Sequence, residues 1–495
     1  MPTSPLFLGI DIDASGLCLV ALDQAGQVAA QLRRAYGGRS EDGEHDPQDW
    51  WRALRTGIKE MLRRSRCAPD RIRCVGITGP ADVLALLDEG GHVLCPTRFT
   101  ADAGLQPYVD QLHAATGERN LANLAGGYAR LGCAASRLLA IRKTSPRVWH
   151  DLHLVLPAKD FIRFRFSDNP CTDPASAGRS CLFNPRTRAW SKQILSRLQF
   201  NPAWFPAPRS GDQIAGRVSA AAAQETGLQA GTPIVTGASH RCAAAVASGV
   251  LADGDTMIEL GGAGCLLRTS ATSGRHPQRH LRSGCHCLDG AWTLEQDGLA
   301  AGPALDWFEQ EVTPAEVQQA RRHRRPVLDH LAELAAESSP AADGLFFIPP
   351  DTGRAGGFVG LRLEHRRSHL VRAVLESGAL ALAQALPAFQ ACKAPISRLI
   401  VCGPGAENAL WCQIVCDALD RPLESFVETE ICARGAAILA SSAVGIHSDV
   451  QAACRAMVAA DASYTPRSAA TAAYRAALPH RTRIGEQLDV LHQPA

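Results

Sequence analysis

Long hydrophobic runs are missing from this 495-residue sequence. No apolar stretch approaches the ~20 residues that span a bilayer, so no membrane partner is expected. An excess of one charge is missing as well: 51 Lys and Arg against 49 Asp and Glu leave a formal net charge of +2. That balance gives no electrostatic footprint for nucleic acid. The opening MPTSPLFLGIDID has no basic segment before its short apolar stretch, which runs directly into acids, so it does not read as a secretory signal. A cytoplasmic location is the expectation. Paired cysteines are scarce although cysteine is not. Of 17 cysteines, only Cys285 and Cys287 stand close together, with His286 between them. Without a second pair, that cluster reads as incidental rather than as a zinc site. The thiols are expected to be reduced and mostly buried. No low-complexity linker divides the chain.

What is present suggests two domains, because one core rarely serves this length. Residues 6–22, LFLGIDIDASGLCLVAL, and residues 255–269, DTMIELGGAGCLLRT, share one design: apolar strand, turn of small residues, apolar strand. Small residues in such a turn let backbone N–H groups approach a phosphate closely. After the first hairpin come a third strand in QVAAQLRRAY, a helix entered at Asp46-Pro47, and a buried strand in RIRCVGITG. This β-β-β-α-β order is unlike a Rossmann unit. Residues 105–170 read as mainly helical, and 171–212 as a polar excursion with Asp173 a surface loop acid. The second half repeats the plan, with a strand-Gly-helix unit in SRLIVCGPGAENALWCQIVCDAL and a small-residue helix in CARGAAILASSAVG. The boundary is placed near residues 246–253, giving domains 1–248 and 249–495.

These segments, in this order, resemble the FGGY carbohydrate kinases, the xylulokinases most of all. GIDIDASG corresponds to a first phosphate motif GIDxGTSxxK, and DPQDWW to an acid-Pro-x-x-Trp-Trp helix. GITGPADVLALLDEGGHVLCP, AKDFIRFRFSDNPCTD, GDTMIELGGAG, GLFFIPP, GGFVGLRLEHRRSHLVRAVLE and GPGAENALWCQIVCDALDRPL follow further family blocks in register. The resemblance covers nearly the whole chain. It implies the two-lobed, actin-like (ribonuclease H-like) α/β ATPase fold, with duplicated domains and a central cleft. Domain 1–248 would be the sugar side and domain 249–495 the nucleotide side. It implies ATP and Mg2+, a sugar or polyol as small-molecule partner, and a homodimer by analogy.

Carried over residue by residue, the resemblance puts His240 where the family has its catalytic base Asp. A neutral imidazole can accept a proton, with an ordinary pKa of about 6.5, and the neighbouring Arg241 is expected to favour that neutral form. The alternative is that His240 has no chemical partner. Asp11 keeps the acid that works on magnesium, and is both a catalytic and a metal position. Ala14 and Ser15 fall in the phosphate turn, where Asp13 either recruits magnesium or, as expected here, repels the nucleotide. Ala81, Asp82 and Asp102, with His240, occupy the sugar-binding positions. Gly261, Gly262 and Gly264 form the second phosphate turn, and Gly403, Gly405, Ala406 and Asn408 the turn that meets adenosine. The family's Gly-Glu-Arg-Thr-Pro loop is shortened to residues 351–354. Because so many cleft positions are substituted, two functions stand: a sugar kinase, or a pseudokinase that binds nucleotide or sugar as a regulator or scaffold.

Overall fold

The computed structural model describes residues 4–37, 43–262, 264–274, 281–298, 302–350, 355–392, 395–428 and 430–491. Ala263 and the shortened loop 351–354 lie outside the described residues. The chain forms two units. The first comprises Met1–Ala252, Thr269–Leu294 and Glu430–Val458, and the second Asp253–Arg268, Glu295–Thr429 and Ala459–Ala495.

In the first unit, alternating and continuous apolar runs make β1 (Leu6–Ile12), β2 (Gly16–Leu22) and β3 (Val28–Ala35), an antiparallel meander. Helix α1 (Pro47–Ser65) follows; Asp46 caps it by accepting from the Gln48 N–H at 2.9 Å, and Pro47 opens it. Its apolar face buries Trp50, Leu54 and Ile58 completely, each contributing roughly 1.5–3 kcal/mol of burial. Strand β4 (Ile72–Gly79) then adds parallel to β1. The β-β-β-α-β reading of the sequence holds here, apart from a two-residue strand, Glu44–His45, ahead of α1.

Beyond β4 come β5 (Leu84–Leu87), paired with β6 (Leu154–Pro157), then α2 (Ala158–Ser167) and α3 (Pro174–Arg179). Strands β7 (Ile214–Arg217), β8 (Pro233–Val235) and β9 (Ala238–Ser239) lead into α4 (His240–Ala247). The sheet order is β7-β8-β4-β1-β2-β3, with β9 also on β4. Segment 171–182 is not the polar excursion its composition suggests. It is almost wholly buried, and Asp173 is 0% exposed. Asp173 caps α3 through the Ala175 and Ser176 N–H groups and pairs with Lys159 at 2.9 Å. Lys159 also holds Asp160 at 2.6 Å, and Thr172 donates to Asp160 at 2.6 Å. A charge removed from water survives only when paired in this way.

The helix Ile431–Ala443 packs against β1, β4 and α4 at backbone contact. A Cβ built on Gly9 would lie 1.8 Å from the Ala433 carbonyl oxygen, and one on Gly76 would lie 1.9 Å from that of Ala436. Small residues on the helix and glycine on the strands allow that approach.

The second unit repeats the plan more sparely. Hairpin β10 (Asp255–Glu259) and β11 (Cys265–Ser270) lies beside parallel β12 (Arg398–Cys402), then β13 (Leu423–Ser425) and antiparallel β14 (Ala462–Tyr464). Helices α5 (Arg367–Ala391) and α6 (Ala409–Leu419) pack together on this unit. Among the described residues, α5 alone is long and apolar enough to cross a membrane, and 78% of its apolar window is buried. It reads as the unit's core helix.

Candidate functional site

The parallel strands of the first unit end together. Asp11 of β1 lies opposite Thr78 of β4, and β4 pairs Thr78 and Gly79 with Ala238 and Ser239 of β9. The residue after β9 is His240, the first of α4. The topology therefore delivers Asp11, Asp82 (just past β4) and His240 to the carboxyl ends of adjacent strands, where open α/β sheets hold their ligands. His240 Nε2 lies 2.6 Å from Asp11 Oδ1 and 3.0 Å from the Ile12 carbonyl oxygen. Both neighbours are acceptors, so Nε2 carries the proton. His240 is thus not partnerless.

Burial favours the neutral imidazole, but the Asp11 carboxylate, its hydrogen bond and Asp13 outweigh it, and the His240 pKa is raised above its ordinary value. This reverses the expectation that Arg241 would favour the neutral form. The side chain keeps 30% exposure, and Asp11 keeps 16%.

The first turn is tight, with the Asp13 N–H donating to the Gly16 carbonyl at 2.9 Å. The Ala14 N–H donates to the Asp13 carboxylate at 2.6 Å. A group expected to greet a phosphate is already met by the chain's own anion. Ser15 is exposed beside it. Asp11, Asp13, Ser15 and Gly16 line a cavity of about 220 Å³ together with Leu17, Cys18, Arg33, Arg34 and Ala35. Sequence reasoning missed Arg33. It lies directly opposite Cys18 in the β2–β3 register, so the strand pairing brings a guanidinium to the side of the first turn. Arg33 is paired with Glu430. Alternation along β3 could have found it.

The sugar-side residues separate. Ala81 is buried. Asp82 lies 3.8 Å from Arg179, and its Oδ1 is buried without a hydrogen-bond partner among the described residues. An orphaned carboxylate oxygen is an acceptor ready for a hydroxyl donor. Asp102 is instead 58% exposed, lies 3.7 Å from Arg98, and accepts from the Gly104 N–H at 2.8 Å. It lines a different cavity of about 170 Å³ with Arg98, Arg137 and Glu44. The structure does not bring Asp102 into the cavity of Asp11. The Lys159–Asp160–Asp173 network also escaped sequence reasoning. It braces this region, since Lys159 Nζ reaches the Thr236 carbonyl at 3.3 Å.

In the second unit the two glycine turns meet. The Leu260 N–H donates to the Cys402 carbonyl at 2.8 Å, and the Gly405 N–H donates to the Leu260 carbonyl at 2.9 Å. Gly261, Gly262, Gly264 and Gly403 all have positive φ, at 87°, 53°, 64° and 87°. Ala406 is buried. Asn408 caps α6 by accepting from the Trp411 N–H at 3.0 Å, and its amide donates to Asp329 at 3.0 Å.

These two α/β domains have the actin-like ATPase fold. The chain belongs to the FGGY family of carbohydrate kinases, whose N-terminal domain matches residues 6–247 and whose C-terminal domain matches residues 257–444. It is similar to the xylulose kinase of Escherichia coli, 27% identical over 432 residues, 85% of this chain and 86% of the relative. It is also similar to that of Staphylococcus epidermidis, 23% identical over 474 residues, 93% of this chain and 92% of the relative. The solved xylulose kinase from Rhodospirillum rubrum superposes with a TM-score of 0.88 at 24% identity, covering 98% of this chain and 99% of that one. The family's members are sugar kinases that use ATP.

Proposed function

We propose that this chain transfers the γ-phosphate of ATP to a hydroxyl of a ketopentose or polyol, with His240 as general base and Asp11 as its partner. The observation that carries this reading is the 2.6 Å contact between Asp11 and His240 Nε2. With the proton on Nε2, the other ring nitrogen, Nδ1, bears the lone pair. Asp11 fixes the tautomer and raises the basicity of Nδ1, which takes the proton from the sugar hydroxyl as it attacks. Asp82 Oδ1 accepts from a second hydroxyl and orients the sugar. The oxygens of Asp11 and Asp13 suit a hard cation, so these two would hold the Mg2+ that neutralises charge on the nucleotide's phosphates. Residues 1–248 would supply the sugar side and 249–495 the nucleotide side. Seventeen free cysteines, most of them buried, fit a reducing, cytoplasmic setting.

A second reading has its own support. The Ala14 N–H, on the expected first phosphate turn, is engaged by Asp13, and the Gly405 N–H, on the turn expected to meet adenosine, is engaged by Leu260. A protein that binds nucleotide or sugar without turnover would tolerate this. The deciding experiment measures ATP-dependent phosphorylation over a panel of ketopentoses and polyols, with and without Mg2+. Turnover that is lost in His240→Ala and retained in His240→Asp supports the kinase. Binding of Mg·ATP or a sugar in calorimetry, with no turnover on any sugar, supports the second reading and removes the first.

A further inference from the structure

Two residues after His240, on the first turns of α4, Cys242 points into the core of the first unit, where it meets His286 and Cys287. The three ligand-bearing atoms lie within 4.8 Å of one another. Cys242 is 1% exposed, and His286 and Cys287 are 0% exposed. The local sequence pairs Cys285 with Cys287, but the fold replaces Cys285 by a sulfur from 43 residues earlier. Cys285 packs elsewhere, with Ala177 and Phe183.

The geometry and chemistry suit a metal. Cys287 Sγ lies 3.6 Å from His286 Nδ1. Tetrahedral bonds of about 2.3 Å to sulfur and 2.0–2.1 Å to nitrogen give an S···N edge of about 3.6 Å. His286 Nδ1 accepts from the Leu288 N–H at 3.2 Å, so it carries a lone pair, the form a metal requires. The segment is held in place by hydrogen bonds independent of the cluster. The Gly211 N–H donates to the Cys287 carbonyl at 2.7 Å, and Arg188 donates to that of Leu288 at 3.0 Å. Two sulfurs and one imidazole form a soft donor set, and burial of all three side chains excludes competing bulk water.

We propose that Cys242, His286 and Cys287 form a buried binding site for one thiophilic d10 cation, Zn2+ or Cu+. On binding, each thiol gives up its proton to solvent, two metal–sulfur bonds form, and a metal–nitrogen bond replaces the Leu288 N–H contact at Nδ1. The ion ties the 285–288 segment to the helix that begins with His240. The site does not depend on the kinase reading.

The test uses the full-length chain, stripped with chelator under reducing conditions and titrated separately with Zn2+ and with Cu+. Native mass spectrometry and metal analysis read the product, and Co2+ serves as a probe for thiolate charge-transfer absorption. One ion per chain is expected, with the mass of the metal less two protons for Zn2+ or less one for Cu+, together with a rise in thermal midpoint. The arm that binds at stoichiometric concentration identifies the ion. Affinity falls by more than ~100-fold in Cys242→Ser, Cys287→Ser and His286→Ala, and is unchanged in Cys285→Ser. Failure of the wild type to take up either ion overturns the site, as does uptake that Cys242→Ser and Cys287→Ser leave intact. Both wild-type readouts stand even where a ligand variant fails to fold.

Discussion

The two small-residue turns share one topology and differ in what they expose. Each closes an antiparallel hairpin whose first strand pairs with a parallel strand, β1 with β4 and β10 with β12. The first turn is a site of charge: Asp11, Asp13 and His240 converge, and side chains do what can be done there. The second is a site of backbone, where glycines at positive φ fold two loops against each other. The lesson is that a duplicated frame constrains where the chain turns, while the side chains at the turn set its chemistry independently in each copy.

The contrast can be broken most severely at Asp11. Asp11→Asn removes the negative charge that orients His240 and raises its pKa. The kinase reading expects turnover to fall 10²–10⁴-fold, and NMR titration should show the His240 pKa dropping toward its ordinary value. An unchanged titration would detach His240 from Asp11.

The equivalent insult in the second unit is steric. A Cβ on Gly405 would lie 2.7 Å from Leu260 Cγ and 2.8 Å from the Trp411 ring. Gly405→Ala should cost about 1–3 kcal/mol, read as a lower thermal midpoint. A charged substitution effect at this turn, with no loss of stability, would contradict its description as backbone architecture.

Asp13 separates repulsion from metal recruitment. Asp13→Gly frees the Ala14 N–H and removes a carboxylate, so nucleotide binding measured without Mg2+ should tighten ~2- to 5-fold, the scale of an exposed charge interaction. If the variant instead binds Mg·ATP more weakly than the wild type, Asp13 serves the metal.

The smallest effects are in pH. Because the His240 pKa is raised on folding, the Asp11 pair stabilises the protein fully below about pH 6.5, and that contribution disappears as pH rises through the folded value. His240→Gln should therefore lose stability relative to the wild type at about pH 6 and little at about pH 9. Catalysis by Nδ1 runs the other way. The rate should rise with pH as the imidazole loses its proton.

Much of the frame was legible in the residues. The Asp46-Pro47 helix entry, the three-strand meander, the strand ending at Gly79 and the small-residue helix Ile431–Ala443 all follow from local signals: caps, alternation, and runs of residues too small to keep backbones apart. The site was legible in part. Asp11, Asp82 and His240 were found by register with family motifs, whereas the contact of Asp11 with His240 depends on β4 and β9 lying beside β1. Segment 171–182 was misjudged because composition reports polarity and not partners. Asp173 is polar and still fully buried, since Lys159 lies 2.9 Å away.

The sequence by itself determined the family and the doubled hairpins, because strand, turn and helix signals act over a few residues. Only the tertiary structure decided which side chains meet. It joined His240 to Asp11 across 229 positions, moved Asp102 to another cavity, and gave Cys287 its second sulfur from Cys242 in place of Cys285. Charge pairing, burial and coordination depend on distances in space, and for groups hundreds of residues apart those distances exist only once the sheet has brought the strand ends together.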